Sequence, residues 1–190
     1  MIVADDTDVF VLLCHFIFSG QISGQVKMIS PVKGRAVIDM NKTVQSNIEI
    51  MPDLLAAHGI TGCDTVAIYF GIGKGIVLKI LRTGKYPLSV IGDTTSDISD
   101  VIEQATRFVL ACYGQSGCES MTASRHKLWS TKLSRSIGRA PKLQTLPLTA
   151  EAFNENAARA HLQVAIWRHA TEPHHPTLDP LQHGWVRGKH

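Results

Sequence analysis

What this chain lacks narrows it first. Its four cysteines, Cys14, Cys63, Cys112 and Cys118, form no CxxC pair. That leaves out zinc-ribbon and thioredoxin-type arrangements and reads as free, buried thiols in a reducing compartment. No apolar run is long enough to span a bilayer, since the best candidate, VFVLLCHFIF from Val9 to Phe18, is preceded by Asp5, Asp6 and Asp8, where a signal peptide wants lysine or arginine. No targeting segment or membrane partner is expected, and the location is read as intracellular, with the nucleus among the options. A Walker loop is absent as well: GxxxxGK[ST] ending on Gly73-Lys74 would need glycine where Ile68 stands and serine or threonine where Gly75 stands. Ser116 lies in GQSGC, which is not a GxSxG elbow, and His174-His175 has no second ligand pair for a metal site.

What is present fits a soluble globular domain. The chain has 190 residues, 44% of them apolar and 18% charged, enough to bury a core. The net charge of +3 is small, but it is unevenly placed. Residues 1–60 carry 4 basic and 6 acidic side chains, residues 61–150 carry 11 and 6, and residues 151–190 carry 4 and 4. The middle of the chain holds the positive charge.

The run VFVLLC has the composition of a buried, parallel strand, and Ala36–Met40 reads as a second short strand after a Gly/Pro-punctuated hairpin. A helix is expected from about Pro52, a good first-turn residue, to Gly59. From Thr61 the pattern turns helical, with a short helix over Lys74–Leu81. A second carries Ile98, Val101, Ile102, Ala105 and Val109 at helical spacing and ends near Tyr113-Gly114. Residues 119–137 read as a basic helix, 138–148 as a linker, and 149–170 as a long helix capped by Thr149. Residues 171–190 read as an irregular tail.

Two places carry candidate chemistry. Asp6 and Asp8 form D-x-D; on a strand they would face one way and favour a divalent cation between them, whereas the plainer reading is a solvated acidic start. Gly71-Ile72-Gly73-Lys74 can present backbone N–H groups to a phosphate at the start of a helix, with Lys79, Arg82 and Lys85 behind it and no acid between Gly71 and Lys85. A simple helix connection with a solvated basic face is the alternative. Arg125, Lys127, Lys132, Arg135, Arg139 and Lys142 form a second acid-free basic set that would extend a phosphate-binding track or line a solvated helix.

ADDTDVFVLL at 4–13 and TGCDTVAIYFGIGKG at 61–75 together resemble the second half of the flap endonuclease and XPG-type nuclease domain, a PIN-like α/β fold. The chain is also similar to uncharacterised multicopy animal proteins with TGCDT and GIGK segments. Those proteins share an LP-x-T-x-x-A…R-x-x-x-Q-x-x-x-W pattern, matched here by Leu146-Pro147, Thr149, Ala152, Arg159, Gln163 and Trp167, with Gly184-Trp185 beyond. The resemblance implies a partial PIN-like parallel-sheet core over 1–60 and a helical region with a helix-two-turn-helix over 61–137. It implies Asp6, Asp8 and Asp64 as ligands for Mg2+ or Mn2+ in phosphodiester hydrolysis, and Gly71–Lys74 as a duplex-DNA anchor with a monovalent cation at the turn carbonyls. The family's remaining carboxylates come from strands ahead of the D-x-D segment, which are missing here. The expectation is therefore a truncated or degenerate nuclease copy, with a non-catalytic backbone-binding module or a fragment without independent function as alternatives. The strand Val9–Cys14, left without neighbours, is expected to expose an apolar edge through which copies associate.

Overall fold

A computed structural model of the chain describes residues 1–135, 141–173 and 178–187. It is a mixed α/β structure. In order come β1 (Ile2–Val3), α1 (Thr7–Phe18), β2 (Lys27–Ile29), β3 (Ile38–Asp39), α2 (Met40–Ser46), α3 (Met51–Thr61), α4 (Lys74–Leu81), α5 (Ile98–Cys112), α6 (Met121–Arg135) and α7 (Ala150–Arg168). Short 3₁₀ turns sit at Ile48–Ile50, Leu143–Thr145 and Pro180–Gln182. No helix among the described residues is long and apolar enough to cross a membrane.

The expected strand at Val9–Cys14 is a helix. Asp6 is the N-cap of α1, its carboxylate accepting the amide of Asp8 at 2.6 Å, and Asp8 lies in the first turn, where the helix dipole favours an acid. An apolar run does not by itself separate strand from buried helix. The length of this one and its acidic cap were the deciding signals. α1 buries Val11, Leu13, Cys14 and Phe16 and packs on α2 and α3. The expected exposed apolar edge at Val9–Cys14 disappears with the strand, and so does the shared strand face for Asp6 and Asp8.

The sheet is small. β1 pairs in parallel with β2, the geometry expected of an α/β crossover through α1, and β2 pairs antiparallel with β3, Lys27 opposite Asp39 and Met28 opposite Ile38. The second strand is narrower than Ala36–Met40, because Asp39 accepts the amide of Lys42 and so caps α2, which Met40 opens. The helices expected at Pro52–Gly59, over Lys74–Leu81 and from Ile98 to Tyr113 are α3, α4 and α5. The linker is partly a packed segment: Leu146 and Pro147 are buried, while 138–140 lie outside the described residues.

α3 is the centre of the molecule. It packs on α1, α4 and α7, and α5 packs on α7 as well. The α3–α7 contact depends on one glycine: a Cβ on Gly59 would stand 2.5 Å from Val164 Cγ2. The same Val164 fills the space over Gly92, which also has a positive φ of 81°. One apolar core runs from Val11 to Val164 and includes Leu55, Ile60, Phe108 and Phe153.

Candidate nucleic-acid interface

The segment between α3 and α4 is built in two turns. Gly62 ends α3 with φ 115°, and a Cβ there would come within 2.9 Å of Ile68 Cα, so the chain reverses only with glycine. Cys63 and Val66 then exchange backbone hydrogen bonds, both 3.2 Å, which puts Asp64 and Thr65 on an exposed two-residue turn. α7 holds this turn: Thr65 donates to Gln163 Oε1 at 2.7 Å, and Asn156 bonds both backbone groups of Ala67 and the hydroxyl of Tyr69.

The second turn is Gly71-Ile72-Gly73-Lys74. Gly71 takes φ 82°, the amide of Ile72 donates to Tyr69 O at 3.2 Å, and Gly73 is the N-cap of α4 with no side-chain cap. The amides of Lys74 and Gly75 therefore have no acceptor inside the helix. α4 buries Val77 and Leu81, leaving Lys79, Arg82 and Lys85 exposed. Arg82 is engaged, donating to Asn47 Oδ1 at 3.0 Å and facing Glu49 at 3.6 Å. Lys79 and Lys85 have no ion pair among the described residues.

Lys74 is exposed overall, but its head group is engaged. Its Nζ lies 3.0 Å from His58 Nδ1 and donates to Gly62 O at 3.2 Å, while His58 Nε2 lies 2.6 Å from Asp8 Oδ1. An ammonium can only donate, so Nδ1 accepts and the Nε2–H of a neutral imidazole donates to Asp8. Burial holds His58 below its ordinary pKa, more than the Asp8 bond raises it, with Lys74 pushing the same way as burial. Burial also lowers Lys74, against the attraction of Asp8. Trp167 of α7 stacks on His58, ring centroids 5.8 Å apart and 18° from parallel.

Comparison with models of known protein families, with curated proteins and with solved structures returns no match.

The residues singled out in the sequence thus divide. Asp8 and Lys74 are brought together through His58, which the sequence reading passed over. Its signal was a single ionisable side chain in the otherwise apolar run LLAAHGI. Asp6 caps a helix and Asp64 stands on an exposed turn. Among the described residues no three His, Cys, Asp or Glu side chains converge as a metal donor set. In the second basic set, Arg125 donates to Pro147 O and Lys132 to Thr145 O at 2.8 Å, so these two fasten the 142–148 segment to α6. Lys127 and Lys142 are exposed; Arg139 and the side chain of Arg135 lie outside the described residues, as do His174 and His175.

Proposed function

We propose that this chain holds nucleic acid by its phosphate backbone through the Gly71–Lys74 turn and α4, as a nuclease-like binding module that acts without hydrolysis. The observation that carries this reading is a pair of glycines the fold does not need. Gly73 has φ −91°, Gly75 sits inside α4, and a Cβ at either position would meet nothing within 4 Å. A helical glycine costs about 0.5–1 kcal/mol relative to alanine, with no internal packing here to offset it. An external backbone approaching the open amides of Lys74 and Gly75 accounts for both glycines. Lys79 and Lys85, exposed and without an ion pair among the described residues, add positive charge along α4 and beyond its end. The Asp8 carboxylate, which a hydrolytic reading assigns to a metal, is held by His58.

The test is fluorescence anisotropy with a short labelled DNA duplex. Gly75→Ala is expected to stabilise the fold by a few tenths to about 1 kcal/mol while weakening binding, opposite effects that a structural role does not produce. Lys79→Glu with Lys85→Glu is expected to weaken binding and flatten its salt dependence by about two counterions. Binding unchanged in both variants would overturn the reading.

Metal-dependent phosphodiester hydrolysis is the second reading. It draws on the position of Asp5 and Asp6 just past the carboxyl end of β1, next to its parallel neighbour β2, where α/β sheets place ligands. Cleavage of duplex or flap DNA that requires Mg2+ or Mn2+ and is lost in Asp8→Asn would move the conclusion to that reading. Binding without cleavage is the expected result.

A further inference from the structure

The amine of Lys74 is held by uncharged acceptors. Its Nζ lies 3.0 Å from His58 Nδ1 and donates to Gly62 O at 3.2 Å, and among the described residues no carboxylate forms an ion pair with it. The imidazole it meets is 5% exposed and fixed from behind by Asp8, so the amine has a set position while Lys74 as a whole stays open to solvent. A lysine that only supplied charge to a surface would need neither the buried acceptor nor the fixed position.

Against the same two side chains lies a hollow of about 130 Å³. Its other walls are mainly apolar, with Phe10 from α1, Leu54 from α3, and Val77 and Leu78 from α4, and its lining contains no carboxylate. A dry protein cavity of about 150 Å³ holds one benzene ring, so the occupant that fits here is small, apolar and uncharged. Among such molecules an aldehyde makes the fullest use of the site, because its carbonyl carbon can bond to the amine while its apolar part fills the hollow. Burial holds Lys74 below its ordinary pKa, against the attraction of Asp8, and a desolvated lysine beside apolar walls is a nucleophile toward carbonyl carbon.

We propose that Lys74, positioned by His58 and Gly62 beside this hollow, captures a small apolar aldehyde as an imine. The neutral amine adds through Nζ to the carbonyl carbon, and the carbonyl oxygen leaves as water with the two amine protons. One C=N bond replaces one C=O bond, and the step needs no oxidant or reductant. Hydrolysis reverses it, so the site binds its ligand covalently and reversibly. The proposal is independent of the backbone-binding reading, which uses the main-chain amides of Lys74 and Gly75 and not the lysine side chain.

The experiment incubates the folded full chain with limiting benzaldehyde or acetaldehyde, reduces any imine to a stable secondary amine with borohydride, and locates the adducts by peptide mass spectrometry. In the wild type, benzaldehyde is expected on Lys74 at about ten-fold or more above Lys79 and Lys85, exposed lysines on the same stretch. The chain unfolded in urea should lose that selectivity. Leu78→Trp fills the hollow from a partly buried position and should abolish the preference of Lys74 for benzaldehyde while the acetaldehyde adduct persists. Lys74→Arg keeps the charge without an amine that forms imines, and no other lysine should take over the excess label. Benzaldehyde spread evenly over the lysines of the folded wild type overturns the proposal. Selective labelling of Lys74 that is equal for the two aldehydes and unchanged in Leu78→Trp would show a reactive amine that does not use the hollow, and overturns it as well.

Discussion

Asn156 shows how one side chain far along the sequence sets the geometry of the turn region. It is 2% exposed, and it bonds Ala67 N at 3.1 Å, Ala67 O at 3.2 Å and Tyr69 Oη at 3.0 Å, so α7 grips the segment that carries Ile68 and Phe70 outward. Asn156→Ala would leave the buried Tyr69 hydroxyl without its partner, and a loss of about 2 kcal/mol or more is expected in urea unfolding. Limited proteolysis should then cut first between Val66 and Gly71; a variant that unfolds and is cleaved as the wild type does would show that the grip is dispensable. His58 is the other residue of this kind. It meets Asp8 fifty positions earlier and Lys74 sixteen later, and stacks on Trp167. Nothing in the local spacing of three residues on α1, α3 and α4 announces that they will touch. The acids and the lysine could be singled out as chemistry; the histidine that joins them appeared only when the three helices were packed.

At the scale of elements, legibility followed the strength of local signals. α3 with proline in its first turn, α4 after its glycines, α5 with acids at its start and α7 with its Thr149 cap all have end signals, and each lies where its pattern placed it. α1 was misread because its residues are β-rich in composition and apolar nearly all round, which is what a helix covered by α2 and α3 and by the sheet's connections looks like. The close approach of α3 to α7 was illegible for a different reason, since Gly59 looked like a helix stop and is instead a contact point inside the helix. Its replacement tests the packing. Gly59→Ala gains helix propensity but drives a methyl to within 2.5 Å of Val164 Cγ2, so a net destabilisation of about 1–3 kcal/mol is expected. Val164→Ala in the same chain should restore part of that loss by making room. Thermal melting of the two single variants and the double decides it; losses that simply add would mean that the two side chains do not compete for the same space.

Across the whole molecule, three histidines share a feature that ties stability to pH. His15 in α1, His58 in α3 and His161 in α7 each have a pKa held below the ordinary value, with burial the largest cause. The positive Arg168 adds to the effect at His15 and His161. His161 has a specific reason to stay neutral: its Nδ1 accepts the amide of Gly92 at 3.1 Å, and it lies stacked on His183, 6.0 Å away and 8° from parallel, with Asp93 the one neighbour that favours its charge. When folded values lie below unfolded ones, both states are neutral above about pH 6.5, and these groups contribute no slope there. Below that point the unfolded chain takes up protons that the folded chain refuses, so stability falls as pH falls, until the folded values are reached. The expected result is a lower urea midpoint at about pH 5.5 than at about pH 7.5, followed by tryptophan fluorescence. His161→Gln should start from a lower stability, because the stack on His183 is lost, yet show a shallower pH dependence. A midpoint that holds steady on acidification would mean that the three imidazoles titrate as freely in the folded chain as in the unfolded one, and a midpoint that rises would mean that folding favours their charged forms.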